Sequence, residues 1–216
     1  MHSDLVDKLR CLAVHEESWL VAAADMVDGR HIMHGLLGCP VCHARYPIER
    51  GVADFTAGAR APLLLESATV ADDESTAIKL AAMLDLTEPS GYVILVGEWA
   101  RLAAQLREIA PVMVLALNPP ADVAMGNGVS GVTTLDRIPV AAGSARAIAL
   151  GGPTGGGPRV IDPLSALGAV QPGGRVVGVA CVEMPMDVQL LARDADHWVG
   201  TRASGAPLIR LVRNPG

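Results

Sequence analysis

Cys39 and Cys42 stand three positions apart in "GCPVCHARYPIERGVADF", residues 38 to 55. A Cys-x-x-Cys turn offers two thiolates from one tight knuckle, and a tetrahedral zinc ion needs a second pair from elsewhere in the chain. Upstream, "RCLAVHEE" supplies Cys11 and His15, while His31 and His34 in "RHIMHG" compete with His15 for the fourth position. A Cys3His zinc site of Cys11, His15, Cys39 and Cys42 is the expectation. The first residues, "MHSDLVDKLR", lack the charged-then-apolar pattern of a signal peptide, so a cytoplasmic location is expected. There the four cysteines stay reduced, and a close pair serves a metal or a redox site more readily than a structural disulfide.

Other groups that could do chemistry lack their companions. Ser144 and Ser165 have no Gly-x-Ser-x-Gly turn around them. "GGPTGGGP", residues 151 to 158, looks like a phosphate loop but lacks the Lys-Ser/Thr ending such loops use, so it reads as a connector or lid. Cys181, inside an apolar run, reads as a small buried hydrophobe.

The knuckles must be brought together by the stretch between them. Two apolar runs flank Asp28-Gly29 in residues 18 to 38, a hairpin signal because both residues tolerate positive φ. About 50 residues make too little core to be stable alone, which gives a structural metal its physical motive. Residues 58–72, rich in Gly, Ala and Pro before turning acidic, read as a linker. "DESTAIKLAAMLDL", 73 to 86, has helical spacing with acids at its start.

From Gly91 onward, apolar runs at 92–98, 112–118, 131–136, 145–152 and 175–181 alternate with helical or turn-like segments such as "WARLAAQLREIA". Runs without polar alternation suit strands covered on both faces, which predicts an α/β domain with a parallel sheet. "DHWVGTR" and "PLIRLVR" read as a closing antiparallel hairpin. The expected organisation is a β-rich module over 1–57, a linker over 58–72 and the α/β domain over 73–216.

Composition narrows the partners. Half of the residues are hydrophobic but only 3% are aromatic, so the core is aliphatic. Net charge is −6 and the basic residues are scattered, which disfavours direct nucleic-acid binding; no apolar run approaches the roughly 20 residues that span a bilayer. A protein partner or a small-molecule ligand remains.

"LRC" followed by "LLGCPVCHARYPIERGVADF" resembles the zinc-ribbon activator subunit of tRNA and translation-factor methyltransferases. Its second knuckle reads Cys-Pro-x-Cys, then Tyr-Pro-Ile and a Gly-containing turn; Cys39, Pro40, Cys42, Tyr46, Pro47, Ile48 and Gly51 fit. The first knuckle departs: Val14 stands where the family has its second Cys, and His15 comes one place later.

Residues 73 to 216 in turn resemble a class I S-adenosylmethionine (SAM) dependent methyltransferase domain, a Rossmann-like fold of five parallel strands and a reversed hairpin. "LGAVQPGGRVVGVA" and "LDRIPVAAGSARAIAL" match the segments before the fifth and fourth strands. This resemblance places the cofactor near Gly97, Glu98, Asn118, Thr134 and Leu135. It implies glycines after the first strand, an acid ending the second and an acid after the third. Here Glu98 and Trp99 follow Gly97, Asn118 ends the second run and Thr134 stands where the third acid would be. A Trp99 side chain in that turn is expected to fill the methionine pocket. Asn118-Pro119-Pro120 is similar to the Asn-Pro-Pro-aromatic motif of amino methyltransferases, but it follows the second strand instead of the fourth and continues with Ala121. The expectation is a degenerate methyltransferase fold acting as a binding or regulatory module, a pseudoenzyme; the alternative is an active enzyme with an atypical cofactor loop.

Overall fold

The structure, a computed structural model, describes residues 1–59, 73–87, 91–151 and 161–204. A short helix, α1 (Ser3–Val6), precedes the expected hairpin, which forms from β1 (Val21–Asp28) and β2 (His31–Gly38). Asp28 pairs with His31, so the turn is Gly29-Arg30, one residue beyond Asp28-Gly29, with Gly29 at φ +57. Glycine supplies the positive φ that two-residue hairpin loops require. A second hairpin of β3 (Arg45–Glu49) and β4 (Val52–Asp54) continues antiparallel from β2.

After residue 72, α2 (Glu74–Met83) begins at Asp73, whose Oδ1 accepts the Thr76 N–H at 2.7 Å. This cap satisfies one of the free donors at a helix start. β5 (Tyr92–Val96) leads into a 3-10 turn over Gly97–Leu102 and then α3 (Ala103–Ile109). The order continues with β6 (Met113–Leu117), β7 (Val129–Thr133), β8 (Ala145–Leu150), α4 (Pro163–Ala169) and β9 (Val170–Val179). β10 (Val188–Arg193) and β11 (His197–Arg202) complete it.

Among the described residues the strands form one sheet in the order β1-β2-β3-β4-β7-β6-β5-β8-β9-β11-β10. Strands β4, β7, β6, β5, β8 and β9 run parallel, while the outer ones pair antiparallel. The methyltransferase-like arrangement is therefore present: five parallel strands, β5 to β9, followed by an antiparallel hairpin. All five residues of β5 are buried, as a strand covered on both faces requires. Alternation along it sorts the core into two layers. Val93 and Leu95 meet α2 and α3 through Leu80, Leu84, Leu102 and Leu106. Tyr92, Ile94 and Val96 face α4 and the N-terminal segment, including Leu5, Leu9, Leu37 and Phe55. Fully burying each such side chain is worth roughly 1.5–3 kcal/mol.

The first 55 residues thus contribute four strands and much of one layer. The segments joining β6 to β7 and β7 to β8 contain no helix, and the chain after α1 packs beside the second of them. Leu9 bridges Val140, and the Arg10 N–H donates to Pro139 O at 2.9 Å. β4 enters the parallel set by pairing Val52, Ala53 and Asp54 with Gly131, Val132 and Thr133. The Phe55 N–H extends the ladder to Thr133 O at 2.7 Å.

Several sequence readings need correction. The closing hairpin pairs β11 with β10, not with the later "PLIRLVR" segment, which lies outside the described residues. β10 is an edge strand with five of its six side chains exposed, Leu190 and Leu191 among them, so its apolar residues do not alternate with burial. β9 ends at Val179, and Cys181 sits exposed in the turn beyond it rather than buried in a strand. Most of the proposed linker, 60–72, and the glycine-rich 152–158 also lie outside the described residues. No helix among the described residues is long and apolar enough to cross a membrane.

Candidate metal centre and cofactor crevice

The β1–β2 hairpin folds the chain back so that the loop after α1 meets the knuckle after β2. The Cys11 N–H donates to Ser18 O at 3.0 Å and Arg10 bridges Trp19, which closes residues 11–18 into a loop. On the other side the Cys39 N–H donates to Ala44 O at 2.9 Å, and the His43 N–H to Cys39 O at 3.0 Å, with His43 at φ +60. The two turns bring Cys11, His15, Cys39 and Cys42 together, with all four ligand atoms within 4.8 Å of one another.

The spacings suit a tetrahedral ion. Cys11 Sγ lies 3.7 Å from Cys42 Sγ, and Cys39 Sγ lies 3.4 Å from His15 Nε2. Four ligands around zinc, at ordinary Zn–S and Zn–N bond lengths, stand about 3.8 Å apart for two sulfurs and about 3.5 Å apart for sulfur and nitrogen. His15 Nδ1 lies 2.5 Å from Glu16 O. A carbonyl can only accept, so that contact assigns the proton to Nδ1 and leaves the Nε2 lone pair facing the thiols. Burial alone would oppose a thiolate at Cys39, but the amides of Cys42 and Val41 and the neighbouring thiols outweigh it and bring its pKa down to about 6. Cys11 goes the other way, its thiol pushed up mainly by burial.

The competitors for the fourth position lie elsewhere. His31 is buried in β2, where its Nε2 accepts the Gly128 N–H at 2.8 Å and its ring meets His2 edge-on at 4.9 Å. His34 pairs across the sheet with Met26 and Glu49. A residue that sequence spacing left without a role is Tyr46: its hydroxyl stands 3.1 Å from Cys11 Sγ and its ring stacks on Phe55 at 4.2 Å. The signal was its place four residues after the second cysteine.

The second candidate region is the carboxyl end of the parallel strands. β5 lies between β6 and β8, so the chain winds outward from it in both directions, and open α/β sheets bind ligands at such a switch point. Gly97 leaves β5 buried and at φ +62. Facing it, a Cβ on Gly151 would stand 2.7 Å from Val96 O, so the two strand exits approach backbone to backbone. Glu98 pairs with Arg101 at 2.7 Å, and Arg101 also pairs with Asp122. Asn118, at φ +50, turns its Oδ1 to the Thr134 N–H at 2.8 Å. Thr134 is buried, its hydroxyl donating to Arg137 O at 2.7 Å; Leu135 follows, half-buried.

Trp99 differs from expectation. Its indole is 1% exposed, packed in the layer with α2 and α3, and donates from Nε1 to Leu150 O at 3.2 Å. The ring lies in the layer of the helices, beside the end of β8. An amphipathic ring following a buried strand found more apolar surface on the helical side than in the crevice.

No protein-family model matches the sequence, and no curated protein matches it. Similar solved structures include a tRNA (m1A58) methyltransferase from Aquifex aeolicus, with 14% identity over 65% of this chain and 73% of that one and a TM-score of 0.44. An RNA methyltransferase from Salinibacter ruber aligns with 10% identity over 63% of this chain and 95% of its own, TM-score 0.43. A protein from Galdieria sulphuraria assigned as a sarcosine dimethylglycine methyltransferase aligns with 14% identity over 49% of this chain, TM-score 0.39; the match spans only 45% of that protein. Likenesses of this degree assign no activity to the chain.

Proposed function

We propose that this chain is a zinc-stapled protein of methyltransferase-like fold that serves as a binding or regulatory module in the cytoplasm and does not transfer methyl groups. The observation that carries this reading is the state of Asn118. At the strand end where a SAM-binding fold of this kind presents a carboxylate to two ribose hydroxyls, a neutral amide is engaged with the Thr134 N–H. A single amide oxygen already accepting one bond lacks the two charged acceptors that such a diol needs. Glu98 supports the reading, because its carboxylate is held by Arg101.

Zinc would be held by Cys11, His15, Cys39 and Cys42, with His15 standing in for the second cysteine of the first knuckle in the zinc-ribbon activator that the sequence resembles. With four protein ligands the coordination shell is full, so the ion contributes folding energy and no open position for a reactant. The ligand or partner served by the module is a protein or a small molecule.

A second reading, an active SAM-dependent methyltransferase with an atypical cofactor loop, is favoured by one observation: Trp99 packs in the layer with α2 and α3, so its ring is engaged there. Titration calorimetry of the zinc-loaded chain with SAM separates the two. No heat up to millimolar SAM is the expected result; micromolar binding returns the protein to the enzymes.

A further inference from the structure

Along β3, Tyr46 and Ile48 are buried while Pro47 and Glu49 are exposed, and on β4 Ala53 is buried while Val52 and Asp54 are only half-buried. One face of these strands is therefore open, although β4 and β7 pair in parallel and parallel strands ordinarily have both faces covered. The cause is the connection from β6 to β7, a loop over 118–128 where a crossover helix would lie. What remains is a groove of about 700 Å³ between that loop and the sheet. Small-molecule sites span roughly 300–1,000 Å³.

The lining has two characters. Met33, Val52, Met125 and the Pro119-Pro120 pair make an apolar bed, with adaptable thioethers on two sides. Among the described residues of the lining, Glu49, Asp54 and Asp122 bring carboxylates against Arg50. Asp122 is paired with Arg101, which leaves Glu49 on the rim and Asp54 at the carboxyl end of β4 against Arg50, an excess of one negative charge in the groove. Asp54 Oδ1 accepts the Thr56 N–H at 2.8 Å, which fixes the carboxylate; its second oxygen keeps its acceptor capacity. An anion would meet these acids, whereas a cation with an apolar stem would be complementary to both characters.

We infer that this groove binds a small organic cation, an amine or guanidinium on an aliphatic stem, with Asp54 and Glu49 taking the charge and Met33, Val52 and Met125 taking the stem. The inference goes beyond the proposed function and is independent of SAM, since neither Gly97 nor Thr134 lines the groove.

The test is NMR of the full zinc-loaded chain carrying 13C-methyl methionine, titrated with agmatine. Met33 and Met125, identified by single Leu replacements, are expected to shift saturably, while the fully exposed Met186 stays put. Uncharged n-butylurea is expected to move neither. Asp54→Asn is expected to weaken agmatine binding at least tenfold; should that variant unfold, Glu49→Gln on the exposed rim is expected to weaken it severalfold. Unmoved methyls at millimolar agmatine, an equal response to butylurea, or unchanged affinity in the folded Asp54→Asn or Glu49→Gln variant overturns the inference. So does cross-relaxation from these methyls to residues 60–72 or to a second copy, which would mean that protein fills the groove.

Discussion

Tyr46 is the side chain at which the cysteine cluster and the sheet touch. Its hydroxyl reaches Cys11 Sγ while its ring lies on Phe55, the residue that extends the β4–β7 ladder. A hydroxyl donating to a thiolate both orients it and favours its charged form, and losing such an outer contact usually lowers metal affinity by about 10–100-fold. Tyr46→Phe keeps the stack, so chelator competition is expected to show zinc held about tenfold more weakly, with little change in the Tm of the zinc-saturated protein. Unchanged zinc affinity would remove Tyr46 from that role. His31 gives a pH dependence of its own. Burial, then the neighbouring amino terminus and His2, push its imidazole down to about 4 from 6.5. The unfolded chain therefore takes up this proton first as pH falls, so the stabilisation is complete above 6.5 and is lost progressively toward 4. The Tm is expected to decline through that window, and less steeply in His31→Gln, whose amide oxygen can still accept from Gly128. Parallel Tm profiles for the two proteins would contradict this.

Between elements, the knuckle turns and the central strands should respond differently to metal. Residues 11–18 and 39–44 lie outside the strands, whereas β5 is paired on both sides and fully buried. Stripping zinc with a chelator, or replacing Cys39 with Ser, is expected to speed amide exchange at least tenfold in those two loops while β5 and β8 stay protected. Exchange unchanged in the loops would argue against a bound ion. The same contrast governs what the sequence discloses. β5, β6 and β8 are legible because strands buried on both faces must be continuous apolar runs, and the gathering of Cys11, His15, Cys39 and Cys42 is legible because their types and spacing are those of two knuckles facing each other. β10 is not, since its apolar residues Leu190 and Leu191 stand side by side on an exposed edge and show no strand alternation. Cys181 misleads because nothing local tells where β9 stops, and Trp99 misleads because its direction is decided by helices packed above it. The place of Asp54 beside Thr133 depends on a pairing between residues far apart in the chain, which no local pattern encodes.

As a whole molecule, the chain uses its N-terminal segment as a layer of the α/β core. Ile94, Leu115, Leu117 and Ile138 share a cluster with Leu5, Leu9, Leu37 and Phe55. A chain lacking residues 1–57 exposes that face, and it is expected to aggregate or to bind a hydrophobic dye strongly on purification. Recovery as a soluble monomer that unfolds cooperatively would mean that the two parts stand alone. The parallel pairing of β4 with β7 also carries a consequence for biosynthesis. As the polypeptide leaves a ribosome, β4 has no edge to join until Val129–Thr133 has been made, and β7 in turn needs β6 beside it. Such distant pairing is slow. A zinc ion bound as proposed would be captured by the early cysteines during that wait, giving the nascent chain a metal-clasped head that docks once the later strands arrive.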